Sequence, residues 1–379
     1  MTNNTMSKRL LFVVSEDWYF VSHRIDIAKK AVSDGYDVAL LCQFSRHKEV
    51  IENFGIKTIN WPISRNSKNL FKELNTLIKI TLAIRKFQPN LVHSVAIKPV
   101  IYSAFACYIN GIDARVFALA GLGSIFSSNK YITKMIRPFI SNALRFALSG
   151  KQSRLILQNL NDCSLLISRN IIEKARIRLI RGSGVDTSIF QIKPIPLGIP
   201  LVILPSRMLW GKGVGVFVEC ANKLKIRGVQ ARFVLVGEPD FHNPESISEL
   251  QLKKWTDSGA VEWWGHCDNM PEIYSLASII CLPSSYGEGL PKSLLEAGAC
   301  GRAIITTDHP GCRDAIDPNK TGILVPINDS FALGEAVMTL LDNSTLCKKM
   351  GEAGRLRVEK NFDINSVIKE HFQIYQELE

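Results

Sequence analysis

Two glutamates, Glu288 and Glu296, lie in the segment SSYGEGLPKSLLEAGA with seven residues between them. Pro291 suits the first turn of a helix, so we expect Glu288 on the loop before that helix and Glu296 nearly two turns into it. At this separation the two carboxylates cannot share a proton, but they can accept hydrogen bonds from hydroxyls on two parts of one ligand. A helix cap for Glu288 and a surface ion pair for Glu296 explain the pattern equally well.

The backbone beside Glu288 is predicted to face the same ligand. Gly289 and Leu290 directly precede the proline, and N–H groups at the start of a helix favour anionic ligand atoms. The segment therefore predicts a site for a molecule that carries both hydroxyls and negative charge.

Two cations follow an apolar run in the segment LVILPSRMLWGKGV. Arg207 and Lys212 come after the predicted strand, with Gly211 and Gly213 on either side of the lysine. An arginine can bind two phosphate oxygens at once, and a lysine adds a mobile point charge. The pair therefore suits a diphosphate, although a solvated pair on an ordinary loop would have the same sequence pattern.

Short apolar runs alternate with helical patterns along the chain, as parallel sheets with helices on both faces require. In the helical pattern at 68–87, one face holds Leu70, Leu74, Leu77, Thr81 and Ile84. The alternation stops at the proline-rich FQIKPIPLGIP and then starts again. We therefore predict an α/β protein of two Rossmann-like doubly wound domains that face a central cleft, with ligands outside the carboxyl ends of the strands.

The domain boundaries follow from the same alternation. We expect an N-terminal domain at 1–190, a linker at 191–200 and a C-terminal domain at 201–360. The remaining segment, 361–379, is predicted to be a helix that packs back on the N-terminal domain.

Positive charge is concentrated in the first half of the chain. Residues 1–190 hold 27 Lys and Arg against 12 Asp and Glu, whereas the remainder holds 19 against 23. A basic half implies an anionic partner, which could be nucleic acid, a membrane surface or a phosphorylated substrate. Charge alone does not choose among these partners.

Four of these cations form one stripe if 130–148 is helical, since a helix turns by about 100° per residue. The stripe consists of Lys130, Lys134, Arg137 and Arg145, and apolar residues fill much of the remaining surface. Such a helix can lie on an anionic membrane leaflet, with its cations at the headgroups. A core helix with a solvated basic face fits the same pattern.

The second half of the chain resembles the donor-binding region of retaining family 4 glycosyltransferases, which have the GT-B fold. The similar segments are the two cations followed by EGLPKSLLEA, then GCRDAI, TGILVPINDSFALGEAV and MGEAGRLRVEKNF. The resemblance implies that Arg207 and Lys212 bind the diphosphate of a nucleotide-sugar, and that Glu288 acts with them in catalysis by bonding the hydroxyls of the donor sugar.

The same resemblance extends to the nucleoside. It implies that Glu296 binds the ribose hydroxyls of the donor. In the segment WWGHCDNM, Gly265 and His266 would provide the backbone nearest to the base.

The N-terminal half resembles a narrower bacterial branch, which extends polyprenyl-diphosphate-linked saccharides and commonly transfers N-acetylhexosamines. The similar segments are DWYFVSHRIDIAKKAVSDGYDVALL, VHSVAIKPVIYSAFA and FALAGLGSIFSS. Many members have a histidine just before the glycine turn of the last segment, where this chain has Ala120. A role for that histidine therefore does not carry over.

Other residues of the N-terminal half are candidates for the site. Gly121 and Gly123 would let backbone amides approach the donor closely. We expect His23, His93 and Lys98 on the acceptor side, although a single histidine is more often structural.

The resemblance implies a retaining transfer of a hexosyl unit, an N-acetylhexosamine, from a UDP-sugar to a polyprenyl-diphosphate-linked saccharide in surface polysaccharide assembly. The cations would stabilise the diphosphate as it leaves. No DxD motif or metal-spaced cluster is present, so no metal cofactor is expected. A GT-B nucleotide-sugar epimerase and a non-catalytic nucleotide-sugar-binding module stay open as alternatives.

The predicted partners and location follow from the same features. Nine cysteines without a CxxC pair predict reduced thiols in a cytoplasmic protein. Together with the basic stripe, this places the expected protein on the inner face of the cytoplasmic membrane, with a nucleotide-sugar and a lipid-linked saccharide as ligands. A nucleic-acid partner is not expected, because the sequence has no binding motif for one.

Overall fold

The computed structural model describes residues 7–63, 69–122, 126 and 131–378. The chain folds into two compact units. Unit 1 comprises Met1–Ser183 and Asn365–Glu379, and unit 2 comprises Gly184–Ile364. Of the predicted site residues, Gly123 and Lys130 lie outside the described residues.

Unit 1 is built on a seven-stranded parallel sheet in the order β3-β2-β1-β4-β5-β6-β7. The strands are Arg9–Glu16 (β1), Asp37–Gln43 (β2), Lys57–Asn60 (β3), Leu91–Val95 (β4), Arg115–Leu119 (β5), Ser153–Leu157 (β6) and Ile177–Leu179 (β7). The central strands are buried over most of their length, as expected for a sheet that is covered on both faces.

The helices of unit 1 cover both faces of this sheet. They are Asp17–His23 (α1), Ile25–Ser33 (α2), Lys48–Glu52 (α3), Leu70–Phe87 (α4), Ile97–Asn110 (α5), Tyr131–Leu148 (α6), Leu160–Ser168 (α7) and the C-terminal helix Ile364–Leu378, with a short 3-10 helix at Lys174–Arg176. Helix α5 packs against both α4 and α6 on one face. Helices α1 and α2 and the C-terminal helix share a core with the other face.

Unit 2 is built on a six-stranded parallel sheet in the order β10-β9-β8-β11-β12-β13. The strands are Leu201–Pro205 (β8), Arg232–Val236 (β9), Glu262–Trp263 (β10), Ile279–Leu282 (β11), Ala303–Thr307 (β12) and Gly322–Val325 (β13). The chain therefore holds two doubly wound α/β units, and this confirms the predicted fold class.

Seven α-helices of unit 2 are described, and hydrophobic cores lie between them and the sheet. They are Val214–Ile226 (α8), Glu249–Asp257 (α9), Met270–Leu276 (α10), Lys292–Ala299 (α11), Pro310–Ala315 (α12), Ser330–Asp342 (α13) and Ser344–Asn361 (α14), with a 3-10 helix at Trp210–Lys212. Among the described residues, no helix combines the length and apolar character needed to cross a membrane.

Unit 2 begins before the proline-rich segment at 191–200. The amide of Val185 donates to the carbonyl of Phe362 (2.9 Å), and the amide of Ile364 donates to the carbonyl of Val185 (3.1 Å). The buried guanidinium of Arg302 then donates to the carbonyl of Lys193 (2.7 Å). Backbone pairing therefore ties 184–190 to unit 2, whereas sequence periodicity had placed these residues in the first domain.

Three polar side chains lie inside the core between the C-terminal helix and the sheet of unit 1. His93 and Tyr375 are joined by a hydrogen bond of 2.7 Å, and His371 stacks against His93 with ring centroids 5.6 Å apart. Neither histidine has exposed surface. Burial lowers the pKa of His371 to about 3, and it also lowers the pKa of His93 well below its ordinary value.

These buried histidines predict a pH-dependent stability of unit 1. In the unfolded chain their pKa returns to about 6.5, so below that pH the unfolded state binds protons that the folded state does not. We expect the free energy of unfolding to fall from pH 6.5 towards pH 4, by up to about 1.4 kcal/mol per pH unit for each histidine. Urea denaturation at several pH values, followed by circular dichroism, measures this slope.

The variant His371→Leu should flatten that slope. The matched control is His266→Leu, at a histidine whose side chain is 39% exposed, and it should keep the wild-type slope. Equal slopes in the two variants would show that the buried imidazole does not cause the acid sensitivity.

A close backbone approach predicts a second effect on stability. A Cβ at Gly351 in α14 would stand 2.0 Å from the carbonyl oxygen of Gly301, whereas a Cβ at Gly334 in α13 would meet only ordinary contacts at 3.6 Å or more. Gly351→Ala should therefore lower the free energy of unfolding by about 1–3 kcal/mol. Gly334→Ala should leave it unchanged or raise it by up to about 1 kcal/mol, since alanine favours a helix. Urea denaturation compares the two, and similar values would contradict the clash.

Candidate functional site

The carboxyl ends of neighbouring strands bring the predicted donor residues of unit 2 together. Strand β8 lies between β9 and β11, and the order of strands reverses there. Loops that follow these strands meet at such a switch point. The loop after β8 carries Arg207 and Lys212, and the loop after β11 carries Glu288.

Lys212 and Glu288 form an ion pair with each other. The ammonium nitrogen of Lys212 lies 2.5 Å from Oε1 of Glu288, and the two side chains are only 13% and 11% exposed. The hydroxyl of Ser284 lies 2.9 Å from the same carboxylate oxygen. The cation and the acid that sequence reasoning assigned to different parts of a ligand therefore share one partly buried cluster.

Glycines make the close approach of these loops possible. Gly213 has φ +77°, and a Cβ there would stand 2.0 Å from the carbonyl oxygen of Pro283. A Cβ at Gly311 would stand 2.3 Å from the carbonyl oxygen of Gly289. Side chains are excluded at both positions, so the glycines let the loops around Glu288 pack backbone against backbone.

Arg207 is held by an acid that sequence reasoning did not select. Its guanidinium lies 2.6 Å from Oδ2 of Asp240. The chain around Asp240 runs beside the arginine loop, where the amide of Met208 donates to the carbonyl of Glu238 and the amide of Trp210 donates to that of Glu245, both at 2.9 Å. Asp240 follows strand β9, so a search for acids after every strand end would have found it.

Glu296 points into a largely buried position on helix α11. Its Oε2 accepts a hydrogen bond of 2.9 Å from the hydroxyl of Tyr274, and its Oε1 lies 3.7 Å from the ammonium of Lys292. Burial raises the pKa of Glu296, against the opposing effects of Lys292 and Tyr274. Glu296 is thus oriented by a buried tyrosine, which lies in an apolar helical pattern and gave no sequence signal.

A histidine near Glu288 was also missed. His309 precedes helix α12, and its Nδ1 is buried with no hydrogen-bond partner among the described residues. Burial lowers the pKa of His309, while the charge of Glu288 acts to raise it. The imidazole therefore stands within electrostatic reach of the Lys212–Glu288 pair.

The segment predicted to lie near the base connects to the strand ends. The carbonyl of Gly265, which has φ +70°, accepts a hydrogen bond of 2.7 Å from the amide of Gly237. The imidazole of His266 makes a contact within its own loop, with its Nε2 3.0 Å from the exposed carboxylate of Asp268. Leu290 is buried beside the glutamate loop. Gly265 is therefore fixed at the strand edge, while the imidazole of His266 is engaged by its own loop.

The acceptor-side candidates lie in unit 1 in three different environments. His93 is enclosed in the core, which favours a structural role. His23 stacks on Tyr19 with ring centroids 4.3 Å apart. Lys98 makes an ion pair of 2.8 Å with Glu73. Gly121 has φ +116°, so its backbone adopts a conformation that favours glycine.

The arrangement in unit 2 can bind a molecule with two chemical faces. Arg207 and Lys212 supply positive charge, and Glu288 and Glu296 supply hydrogen-bond acceptors. Each cation is partly neutralised by an acid, so an anionic ligand would compete with Asp240 and Glu288 for them. Among the described residues no group of three His, Cys, Asp or Glu could hold a metal ion.

Two family models match the two halves of the chain. The model described as glycosyl transferases group 1 matches residues 185–357, and the model described as glycosyl transferase 4-like matches residues 9–159. Together the matches include all six strands of unit 2 and the ion pairs of Arg207 and Lys212.

Known proteins are similar over nearly the whole length. An N,N'-diacetylbacillosaminyl-diphospho-undecaprenol alpha-1,3-N-acetylgalactosaminyltransferase of Campylobacter jejuni is 28% identical, over 91% of this chain and 93% of its own. The putative glycosyltransferase EpsD of Bacillus subtilis is 23% identical, over 98% and 97%. A crystal structure of Anabaena HepE in complex with UDP and glucose superposes with a TM-score of 0.80 at 15% identity, over 97% and 99%.

The two family matches agree with the parallel sheets of both units and with the fold of HepE. The family resemblance seen in the sequence is therefore confirmed, and the chain belongs to the GT-B glycosyltransferases with group 1 and 4-like domains.

Proposed function

We propose that this glycosyltransferase moves an N-acetylhexosamine from a UDP-sugar to a polyprenyl-diphosphate-linked saccharide, with retention at the anomeric carbon, in bacterial surface polysaccharide assembly. The name of the Campylobacter relative contains both a diphospho-undecaprenol acceptor and an N-acetylgalactosaminyl group. HepE is described in complex with UDP and glucose. These relatives support the choice of donor and acceptor class.

The observation that carries the proposal is the self-paired charge cluster at the strand ends of unit 2. Lys212 contacts Glu288, and Arg207 contacts Asp240. A diphosphate carries more negative charge than one carboxylate, and it can accept from a guanidinium and an ammonium together. Donor binding would exchange these internal partners for the diphosphate.

The same exchange would also prepare Glu288 to bind the donor sugar. Once Lys212 turns to the diphosphate, the carboxylate of Glu288 is released to accept hydrogen bonds from hydroxyls of the donor sugar. Ser284 stays beside its Oε1 and keeps the carboxylate oriented. The sugar and the diphosphate are thereby recognised by the two halves of one former ion pair.

Catalysis would follow from where negative charge develops. As the anomeric C–O bond breaks, the electron pair goes to the leaving UDP, whose diphosphate becomes more negative. Lys212 and Arg207 stabilise that charge more strongly than the ground state. Retention implies attack by the acceptor hydroxyl from the leaving-group side, with its proton passing to the departing diphosphate.

The other donor contacts are proposed on the same basis. Glu296 would accept from the ribose hydroxyls, held in place by Tyr274. The amides of Gly289 and Leu290 would lie near the donor sugar, and the backbone of Gly265 would lie near the base. In unit 1, Gly121 on the donor side and His23 and Lys98 on the acceptor side stay predictions.

The direct test offers the protein a panel of UDP- and GDP-sugars with a polyprenyl-diphosphate-linked monosaccharide. Mass spectrometry should detect an acceptor that is heavier by one N-acetylhexosamine only with a UDP-linked donor, and nuclear magnetic resonance should show an alpha linkage. Donor converted to an isomer without acceptor would instead identify an epimerase. UDP-sugar bound without any product would identify a binding module.

The variant Lys212→Ala tests the role of the cluster in catalysis. We expect kcat to fall by at least about 100-fold, because the charge on the leaving diphosphate loses its nearest cation. Lys254→Ala removes an exposed lysine of helix α9 and is the control for charge. Steady-state kinetics measure both, and a wild-type kcat for Lys212→Ala would refute the assignment.

Tyr274→Phe tests whether the buried tyrosine orients Glu296. The ring that packs in the core is kept, and only the hydrogen bond to the carboxylate is lost. We expect the KM for the donor to rise by about 3- to 10-fold with little change in kcat, in line with one hydrogen bond. Glu296→Ala should raise the same KM further.

Tyr102→Phe is a matched control, because it removes a tyrosine–glutamate hydrogen bond, to Glu73 in unit 1. Its donor KM should be that of the wild type. Equal changes in Tyr274→Phe and Tyr102→Phe would mean that the effect is not specific to Glu296.

A further inference from the structure

Three neighbouring helices of unit 1 expose large apolar side chains. Helix α5 packs between α4 and α6, so their outer surfaces adjoin, and we call these surfaces the three-helix face. Its exposed apolar residues are Phe71, Leu74, Ile78 and Leu82 on α4, Phe105, Tyr108 and Ile109 on α5, and Tyr131, Met135, Ile136 and Phe139 on α6. Adjoining apolar surface of this extent marks an interaction site in soluble proteins.

Helix α4 has a second apolar surface, which the core of unit 1 does not cover. Its inner side is set by Ile80 and Ile84, which have no exposed surface, whereas Phe71 is 85% exposed and Leu74 is 56% exposed. The sequence pattern had placed Leu74 on the same face as Ile84, and the structure corrects this. The outer stripe of α4 therefore contributes little to folding and is available for a partner.

Cations flank the outer stripe of α4. At about 100° per residue, the four apolar residues span roughly 80° of the helix surface. Lys79 and Lys86 follow on one side of this stripe, and Arg85 falls within it. A helix with an apolar strip bordered by lysine and arginine suits the boundary between lipid headgroups and acyl chains.

The charge of the face selects the kind of partner. Helices α4, α5 and α6 carry eight Lys and Arg and a single acid, Glu73. That acid is paired with Lys98. A second copy of this face would bring two strongly basic surfaces together, so self-association is disfavoured. An anionic surface fits both the apolar and the charged residues.

The structure also revises which cations of α6 can reach a membrane. The guanidinium of Arg145 donates to the carbonyls of Arg169 and Asn170, both at 2.9 Å, at the end of α7. Arg145 therefore anchors α6 to its own unit. Lys134 is exposed beside Met135 and Phe139, and Arg137 is half-buried.

We propose that the three-helix face, with α4 contributing as much as α6, binds an anionic lipid bilayer. The apolar side chains would enter the headgroup boundary, and Lys72, Lys79, Lys86 and Lys134 would lie among the anionic headgroups. The inference rests on the proposed function in one respect, since a lipid-linked acceptor lies in such a bilayer.

Vesicle sedimentation tests the proposal with the full chain. Vesicles of phosphatidylcholine, with and without phosphatidylglycerol, are the probes. The wild type should sediment only with the anionic vesicles, and less so at high salt. Lys79→Glu with Lys86→Glu should weaken this partitioning by at least about 30-fold, the effect of removing two lysines from a charged surface.

Apolar insertion is tested by Phe71→Asn with Leu82→Asn, which should weaken partitioning by at least about 10-fold. The matched controls lie in unit 2. Lys253→Glu with Lys254→Glu makes the same charge change at exposed lysines, and Leu250→Asn with Leu356→Asn changes exposed leucines. Both controls should sediment as the wild type does, and thermal melting checks that every variant is folded.

Three results would overturn the proposal. In the first, the wild type does not sediment with anionic vesicles. In the second, the α4 variants sediment as the wild type does. In the third, the wild type is a dimer that Phe71→Asn with Leu82→Asn dissociates. Activity towards a short, water-soluble acceptor separates this proposal from the proposed function. Transfer that persists in the α4 variants is expected if only membrane binding is lost, and transfer without any vesicle binding would refute the membrane face alone.

Discussion

The candidate donor site depends on one interaction, the ion pair between Lys212 and Glu288. The pair exists because two loops from adjacent strands approach within backbone contact, which the missing side chain of Gly213 allows. An unpaired charge in so enclosed a place would be costly. Each partner therefore stabilises the other. The ion pair thus neutralises both charges where the two loops meet.

Sequence reasoning predicted the fold, which leaves local patterns, and the structure brings the selected charged residues to neighbouring strand ends. Alternating apolar runs define the two sheets, and Arg207, Lys212 and Glu288 directly follow strand ends. The contacts among them could not be predicted, since Asp240 and Tyr274 reach the site from distant segments. Tyr274 in particular lies in an apolar helical stretch, where a core residue and a positioning residue have the same pattern.

The same limit explains why the structure of unit 1 differs from the sequence predictions for helix α4 and His93. Periodicity tells which residues of a helix share a face, but it does not tell which face is buried when two apolar stripes compete. On α4 the inner stripe contains Ile80 and Ile84, and the outer one contains Phe71 and Leu74. His93 follows a similar logic, because its position near the end of a strand suggested chemistry, whereas the C-terminal helix covers it completely.

The return of the chain to unit 1 has a consequence for biosynthesis. Val367, Ile374, Tyr375 and Leu378 belong to the core that Leu10 and Phe12 begin. A ribosome makes these residues only after all of unit 2. Unit 1 therefore cannot close its core before unit 2 has been made, although domains generally fold in the order of synthesis. Loss of 365–379 alone would remove part of the core around Leu10 and Phe12, which lie far away along the chain.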